Sequence, residues 1–249
     1  MALADALHAM QVYNNLLLNP VLTLQQHDLM VNPLPAVNCA TVRNLWFAAY
    51  GINIVIDQTA AMACGMAGGI MGPPDCGLQR AMVVSPMRGH GLPIGAAAGA
   101  RHRPTGLFNA AGAGANLWVT EMQTGCSVLI VEWGGGQYSM THLQPSQDAQ
   151  FNLLGRAILS TGSFAYNAYK NTWLKQELTA VVSNTGGAPQ RYILIQSMFE
   201  TARGPVTQVL GVRNGAQFNF YRQRQTIANR VVEHLQWSTW RSYLPYFSY

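Results

Sequence analysis

The chain has 249 residues, enough for one large domain or two small ones that bury a core without metals or disulfides. Hydrophobic residues make up 49% of it, which excludes a disordered protein, whereas charged residues make up only 10%, against about 25% in ordinary soluble domains. The net charge of +5 comes mainly from arginine, with 13 Arg against two Lys. These residues are scattered along the chain, so a nucleic-acid-binding surface is not expected.

The N-terminal half of the chain predicts a helix followed by short strands and long loops. Residues 2–18 carry apolar side chains at the spacing of an amphipathic helix, and prolines interrupt the segment after it. The side chains expected to face the core from this helix are Leu3, Leu7, Met10, Tyr13 and Leu17. Residues 52–57 and 81–84 predict strands, and the Gly-, Ala- and Pro-rich segment 64–115 predicts long surface loops.

The C-terminal half predicts mostly antiparallel strands. The predicted strands span residues 116–122, 127–133, 137–143, 191–197, 206–213 and 216–222, and the predicted helices span residues 147–160, 164–182 and 226–236. Gly134-Gly135-Gly136 and Asn214-Gly215 are turn signals that join neighbouring strands into two hairpins. Antiparallel strands with helices packed outside them indicate an α+β fold.

Neither a Sec signal peptide nor a membrane-spanning segment is expected. The first 18 residues lack a basic region and carry Asp5 early, and the sequence contains no run of about 18 apolar residues. If the protein leaves its cell, we expect it to do so by another route.

The cysteines predict thiols rather than a metal site. They are Cys39, Cys64, Cys76 and Cys126. None forms a C-x-x-C pair and no histidine stands at zinc-ligand spacing from them, so no metal and no other cofactor is expected. Four reduced and mostly buried thiols are the simplest interpretation, and a disulfide between Cys64 and Cys76 stays open.

Arginines are densest near the C-terminus, at Arg222, Arg224 and Arg230. Because guanidinium groups bind carboxylates in a bidentate manner, this group is a candidate for steering an acidic partner. The alternative is a solvated strand or helix face with no partner.

One predicted hairpin brings a cysteine and a histidine towards each other. It reads TGCSVLIVEWGGGQYSMTHLQP, with Cys126 at the start of its first strand and His142 near the end of its second. If Trp133 pairs with Gln137 across the three glycines, Val128 lies opposite His142. Cys126 then lies on the same face as His142, one diagonal step of about 7–8 Å away.

The pair has the residue types of a thiol nucleophile and its base. A cysteine attacks only as a thiolate, so it needs a base nearby, which His142 would supply. Gly125 permits a sharp turn before Cys126, and the turn leaves backbone N–H groups outside the strand ladder as candidate oxyanion donors. The alternative is a packed, inert thiol beside an unrelated imidazole.

The same stretch resembles the active-site motif of the cytotoxic necrotizing factor and Burkholderia lethal factor family of glutamine deamidase toxins. That motif is a small residue, Gly and Cys, then a short apolar strand, a Gly-containing turn and a strand that ends in His. Here it reads Thr124-Gly125-Cys126, then SVLIV, the three glycines, and a strand that ends in His142. The family usually has Ser where this chain has Thr124.

The resemblance implies a central β-sandwich flanked by helices, with long loops that frame a deep active-site pocket. Cys126 would attack the side-chain amide of a glutamine on a host protein, and His142 would hold the thiolate and protonate the leaving ammonia. Thr120 is the expected third group, which orients the histidine. The N–H of Cys126, in the turn with Thr124 and Gly125, is the expected oxyanion donor. If an amine replaced water, the site would act as a transglutaminase.

The resemblance also implies a setting for this activity. The chain would be a secreted or injected toxin or effector that works as a monomer in the host cytosol. Its partner would be a host protein with a reactive glutamine, either a Rho-type GTPase or a translation factor. No nucleic-acid partner and no stable membrane insertion are expected.

The resemblance covers residues 116–145 well and residues 205–224 weakly. The whole chain, 1–249, is expected to form a single deamidase-like catalytic domain, with residues 1–50 as a possible N-terminal extension. Two other functions stay open: a non-enzymatic secreted binding module with an inert thiol, and a cysteine peptidase.

Overall fold

The computed structural model describes the helices and strands of two separate units of the chain. The described residues are 2–32, 41–59, 62–63, 76–84, 86–88, 108–109, 114–121, 127–134, 137–144, 189–196, 206–225 and 230–240. The first unit comprises residues 1–85, 110–122 and 205–236, and the second comprises residues 86–109, 123–204 and 237–249.

Strands outnumber helices among the described residues. The helices are α1 (Ala2–Leu18) and α2 (Pro20–Gln26). The strands are β1 (Asp28–Val31), β2 (Thr41–Tyr50), β3 (Asn53–Asp57), β4 (Cys76–Val84), β5 (Pro86–Arg88), β6 (Phe108–Asn109), β7 (Leu117–Thr120), β8 (Ser127–Gly134), β9 (Gln137–Gln144), β10 (Arg191–Gln196), β11 (Val206–Asn214), β12 (Gln217–Gln225), β13 (Arg230–His234) and β14 (Ser238–Thr239). Neither helix has the length and apolarity that a membrane-spanning helix needs.

The first unit is built on an eight-stranded sheet with the strand order β1-β3-β2-β4-β7-β11-β12-β13. Only β1/β3 and β4/β7 pair in parallel among its described strands, so the sheet is mostly antiparallel. In the second unit the order is β14-β10-β8-β9-β5, and β6 pairs with β9 beside β5. The predicted α+β class with mostly antiparallel strands is confirmed.

Helix α1 packs on the first sheet through a face that matches the predicted one only in part. The α1 side chains buried in the core are Ala9, Val12, Tyr13 and Leu16. The ring of Tyr13 meets that of Phe47 on β2 edge-on, with 5.2 Å between the ring centroids. Of the expected stripe, Tyr13 and Leu17 do contact the core, whereas Leu7 and Met10 do not, because both side chains are more than half exposed. The side chain of Leu3 lies outside the described residues. The helix has apolar residues on two sides, and spacing alone does not tell which side meets a sheet.

Hydrogen bonds from the side chain of Gln223 on β12 connect the two ends of the first sheet. Its fully buried amide donates to the carbonyl oxygens of Leu24 and His27, at 2.6 Å each. Its Oε1 accepts from the backbone N–H of Leu29 at 2.8 Å and from Nε2 of Gln225 at 3.0 Å. A glutamine amide has two N–H donors and two acceptor lone pairs, so all four are used. These bonds tie α2 and the first edge strand, β1, to the other end of the sheet.

A second contact joins the same two ends of the sheet. Arg230 on β13 donates through Nε to Oδ1 of Asp28 on β1 at 2.5 Å, and through Nη1 to the carbonyl of Gln25 at 2.6 Å. The buried core also joins the two ends of the sheet, since one cluster includes Leu29 from β1, Tyr221 from β12 and the buried face of α1. The sheet therefore curves around one side of α1.

Two glycines have specific steric roles in the β11–β12 hairpin. Gly215 has φ +61°, and with Ala216 it forms the two-residue turn between Asn214 and Gln217, which pair across the hairpin. The predicted hairpin is thus confirmed, with its turn one residue later than expected. Gly211 lies between the side chains of Trp118 and Phe220, and a Cβ there would come within 2.8 Å of both.

The predictions of single helices and strands have different outcomes. The strand over residues 52–57 is confirmed as β3, and the strand at 81–84 is the end of a longer strand, β4. The helix expected over residues 226–236 is wrong, because residues 230–234 form β13 and pair with β12. The helices expected over 147–160 and 164–182 lie outside the described residues.

The expected single catalytic domain, with residues 1–50 as a possible N-terminal extension, stays a prediction. Residues 2–32 and 41–50, which fall within the segment considered as an N-terminal extension, supply both helices and two strands of the first unit. Ala9, Leu29 and Leu45 from this segment belong to the same buried cluster as Leu210.

Gln223 and Gln208 make a matched pair for a stability test. They lie opposite each other on β12 and β11, and both are buried. However, neither amide atom of Gln208 has a hydrogen-bond partner among the described residues. Gln223→Met leaves buried backbone groups unpaired, so we expect a loss of at least about 3 kcal/mol, whereas Gln208→Met should be neutral or stabilising by up to about 1 kcal/mol.

Urea unfolding followed by tryptophan fluorescence measures both variants. Because the two positions share the same residue type, burial and substitution, equal destabilisation would contradict a special role for Gln223.

Candidate functional site

The β8–β9 hairpin of the second unit carries the predicted histidine. Gly134 pairs with Gln137, and Glu132 pairs with Tyr138, so Trp133 is an extra residue in β8, a β-bulge. The expected pairing of Trp133 with Gln137 is therefore wrong. Beyond the bulge the strands regain the predicted register.

His142 lies directly opposite Val128 in this register, as the sequence predicts. On its other side, His142 pairs with Pro86 of β5. The backbone of His142 is therefore held between two neighbouring strands rather than at a free sheet edge. Its side chain lies outside the part of the chain that the structure describes.

The other predicted site residues fall in different places. Thr124, Gly125 and Cys126 lie outside the described residues, directly before β8 in the sequence. Thr120 is the last residue of β7 in the first unit, where it pairs with Val84 of β4 and is fully buried. The contacts among Cys126, His142 and Thr120 thus stay predictions.

The register of β10, β8 and β9 places their residues in rows on one face of the second sheet. The row at His142 contains Val128 and Ile195, and the next row contains Ile130, Ile193 and Met140. All five of these apolar side chains are buried. Because a buried apolar surface has a low dielectric constant, charges placed beside it interact more strongly than in water.

The third row on the same face is polar, and the sequence analysis did not identify it. Glu132 is buried and pairs with the guanidinium of Arg191, whose Nε donates to Oε2. The hydroxyl of Tyr138 donates to Oε1 of Glu132 at 3.4 Å. Arg191 also stacks on Trp237, with the guanidinium carbon 4.6 Å from the ring centroid. We call these four residues the Glu132 cluster.

The Glu132 cluster has the electrostatics of a structural ion pair. Burial raises the pKa of Tyr138, and the negative charge of Glu132 raises it further, against an opposing effect of Arg191. The hydrogen bond to Glu132 raises the pKa of Arg191. Tyr138 therefore stays protonated and Arg191 charged at neutral pH, so neither can act as a base.

The Glu132 cluster and His142 occupy different parts of the hairpin. Tyr138 and His142 are four residues apart on β9, which corresponds to about 13 Å along a strand. The cluster and the backbone of His142 are therefore two rows apart on the same face. A sequence signal for it existed, because a glutamate inside the apolar run VLIVEW needs a partner when buried.

The arginines near the C-terminus are partly neutralised within the chain. Arg222 pairs with Glu233 on the neighbouring strand, with Nε and Oε2 3.0 Å apart, and Arg230 pairs with Asp28. Two of the three arginines considered for an acidic partner therefore already have carboxylate partners, which weakens the case for an arginine surface there.

A buried carboxylate in the first unit is also satisfied. Asp57 accepts from the amide of Asn32 at 2.6 Å and from the backbone N–H of Thr59 at 2.7 Å. Within the ranges that the structure describes, no three His, Cys, Asp or Glu side chains are grouped so that they could hold a metal ion.

Neither the scan against protein-family models nor the search of the curated proteins finds a match for this sequence.

The raised pKa of Tyr138 predicts an alkaline loss of stability. A group whose pKa is higher in the folded state than the unfolded value of about 10 favours folding below that pH, and the contribution is lost as the pH rises through the folded pKa. Tyr138→Phe should cost about 1 kcal/mol at pH 8 through the lost hydrogen bond to Glu132. Between pH 9 and pH 11, however, the variant should lose less stability than the wild type.

Urea unfolding at a series of pH values measures this difference. Tyr50→Phe, at an exposed position, controls for the loss of a hydroxyl group and should follow the wild type. Parallel pH curves for Tyr138→Phe and the wild type would rule out the effect. Burial also raises the pKa of Tyr13 and of Tyr221, whose contributions remain in both proteins.

Proposed function

We propose that this chain is a protein-glutamine deamidase of the toxin or effector class, with Cys126 as its nucleophile and His142 as its base. The observation that supports this proposal is the register of the β8–β9 hairpin, in which Val128 lies opposite His142. Cys126 precedes Val128 by two residues, and residues two apart on a strand share a face. If β8 continues in register past Ser127, the thiol and the imidazole lie on one face as diagonal neighbours.

The proposed reaction exchanges the amide nitrogen of a glutamine for a water oxygen. The Cys126 thiolate attacks the amide carbon, and the oxyanion that forms is held by backbone N–H groups of the turn at Gly125. The C–N bond then breaks, and ammonia leaves with a proton from His142. Water attacks the thioester, His142 takes a proton from it, and glutamate and the free thiol are formed.

The apolar rows beside His142 suit this chemistry. Val128 and Ile195, in the same row as the backbone of His142, are both buried. A thiolate–imidazolium pair is more strongly coupled in such surroundings than in water. Thr120 is proposed as the residue that orients the imidazole, as the motif resemblance implies.

The proposed substrate is a glutamine on a host protein, such as a Rho-type GTPase or a translation factor. The proposed place of action is the host cytosol, reached by secretion or injection. Both are carried by the motif resemblance alone.

Selective alkylation tests whether Cys126 is activated. Iodoacetamide at mildly acidic pH should label Cys126 much faster than Cys39, Cys64 and Cys76, because only a cysteine of lowered pKa is a thiolate there. His142→Ala should abolish the selectivity, whereas His8→Ala, at an exposed position of α1, should preserve it. Equal labelling of all four cysteines would favour the binding module with an inert thiol.

Mass spectrometry of treated host lysate tests the reaction itself. The wild-type protein should convert specific glutamines to glutamate, a gain of about one dalton on an intact target chain. Cys126→Ser should abolish the conversion and His142→Ala should slow it about 10²- to 10⁴-fold, while Cys76→Ser serves as the matched control. Cleaved targets would identify a cysteine peptidase, and amine-modified glutamines a transglutaminase.

A further inference from the structure

Helix α1 has apolar side chains on two opposite sides. One side packs on the sheet of the first unit through the core residues described above. The other side carries Leu7, Met10 and Leu18, which are 56%, 58% and 77% exposed. At 3.6 residues per turn, positions 7, 10, 14 and 18 lie within an arc of about 80°, on the side away from the sheet. Leu22 of α2, 53% exposed, follows this stripe.

After Asp5, the two helices that carry this stripe have no formally charged side chain. Between Asp5 and Asp28 the sequence contains no Asp, Glu, Lys or Arg. The exposed α1 residues beside the stripe include Gln11 and Asn14, whose side chains are neutral amides. A helix that is apolar on two opposite sides is typical of one that is covered on both.

The absence of charge selects among the surfaces that could cover the stripe. Helices that bind membranes carry Lys or Arg on their polar face to meet anionic lipids, and α1 has neither. A charged protein surface would lose its hydration here without gaining a counter-charge. A second copy of the same face has no such penalty, because it is equally uncharged, and a twofold interface places a patch against itself.

We infer that the exposed faces of α1 from two copies of this chain pack antiparallel about a twofold axis. In this arrangement Leu7 of one copy meets Leu18 of the other, at both ends of the contact. Near the axis, the amides of Gln11 and Asn14 of opposite copies are placed to hydrogen-bond. The apolar ends of the stripe are covered, and no charge is buried.

The size of the face determines the strength of the association. Standard interfaces bury about 800 Å² per partner, from about 20–30 residues. The exposed surface of α1 and α2 comprises only about a dozen residues, so the dimer is weak and depends on concentration. The monomer expected from the sequence is then the dilute state of a monomer–dimer equilibrium.

Sedimentation equilibrium of the full chain under reducing conditions tests the inference. The wild type should change from monomer to dimer between low micromolar and several hundred micromolar concentrations. Leu7→Lys alone and Leu18→Glu alone should each weaken association more than about tenfold, because each buries an unpaired charge. Ile52→Glu, at a position 58% exposed in the β2–β3 turn, is the matched control and should leave association unchanged.

Combining the two substitutions tests the antiparallel geometry. With both Leu7→Lys and Leu18→Glu in one chain, each new ammonium faces a new carboxylate of the other copy, so dimerisation should recover. Mixing the two single variants should likewise give heterodimers. A wild type that stays monomeric throughout, single variants that dimerise normally, or a double variant that does not recover would overturn the inference. Binding of the wild type to phosphatidylcholine vesicles without self-association would overturn it as well.

Discussion

The first sheet is closed mainly by one side-chain amide, that of Gln223. Gln223 joins segments about 200 positions apart in the chain, and it does so with every donor and acceptor that its amide has. The two ends of the eight-stranded sheet form no backbone ladder with each other among the described strands. A side chain must therefore supply the hydrogen bonds that an adjacent strand would supply in a closed barrel. With Arg230 and Asp28, Gln223 holds the curvature that encloses the core around α1.

The second unit uses a buried polar group in a related way. Glu132 and its partners join β8, β9 and the start of β10, next to the apolar row of Ile130, Ile193 and Met140. A slip of one residue would carry Glu132 to the opposite face, away from Arg191, and would leave a buried charge unpaired. The Glu132 cluster thus helps to hold the β8–β9 register on the side of the Trp133 bulge that faces away from the glycine turn. The same register sets Val128 opposite His142, so a structural ion pair about 13 Å away helps to position the candidate site.

The two proposals rest on separate parts of the molecule. The deamidase proposal depends on the hairpin that carries His142 and on Cys126 before it. Self-association depends on the outer side of α1, in the first unit. Neither set of residues occurs in the other, so a failure of one proposal leaves the other standing. Both proposals depend on the low content of charged residues in the sequence. Few charged side chains interrupt the apolar residues of β8 near His142 and those of α1 near Leu18.

The sequence by itself determined the elements whose pattern lies within a few residues. Alternating apolar residues and a turn of glycines predicted β8 and β9, Asn214-Gly215 predicted the second hairpin, and the predicted register placed Val128 opposite His142. The sequence did not determine β13, because the segment VVEHLQW also fits a helix. It forms a strand here because it pairs with the edge of β12. Which side of α1 is buried, and the four hydrogen bonds of Gln223, were decided only by tertiary structure. The physical reason is distance along the chain: local patterns record preferences of neighbouring residues, whereas closure joins groups that meet only after the whole unit has folded.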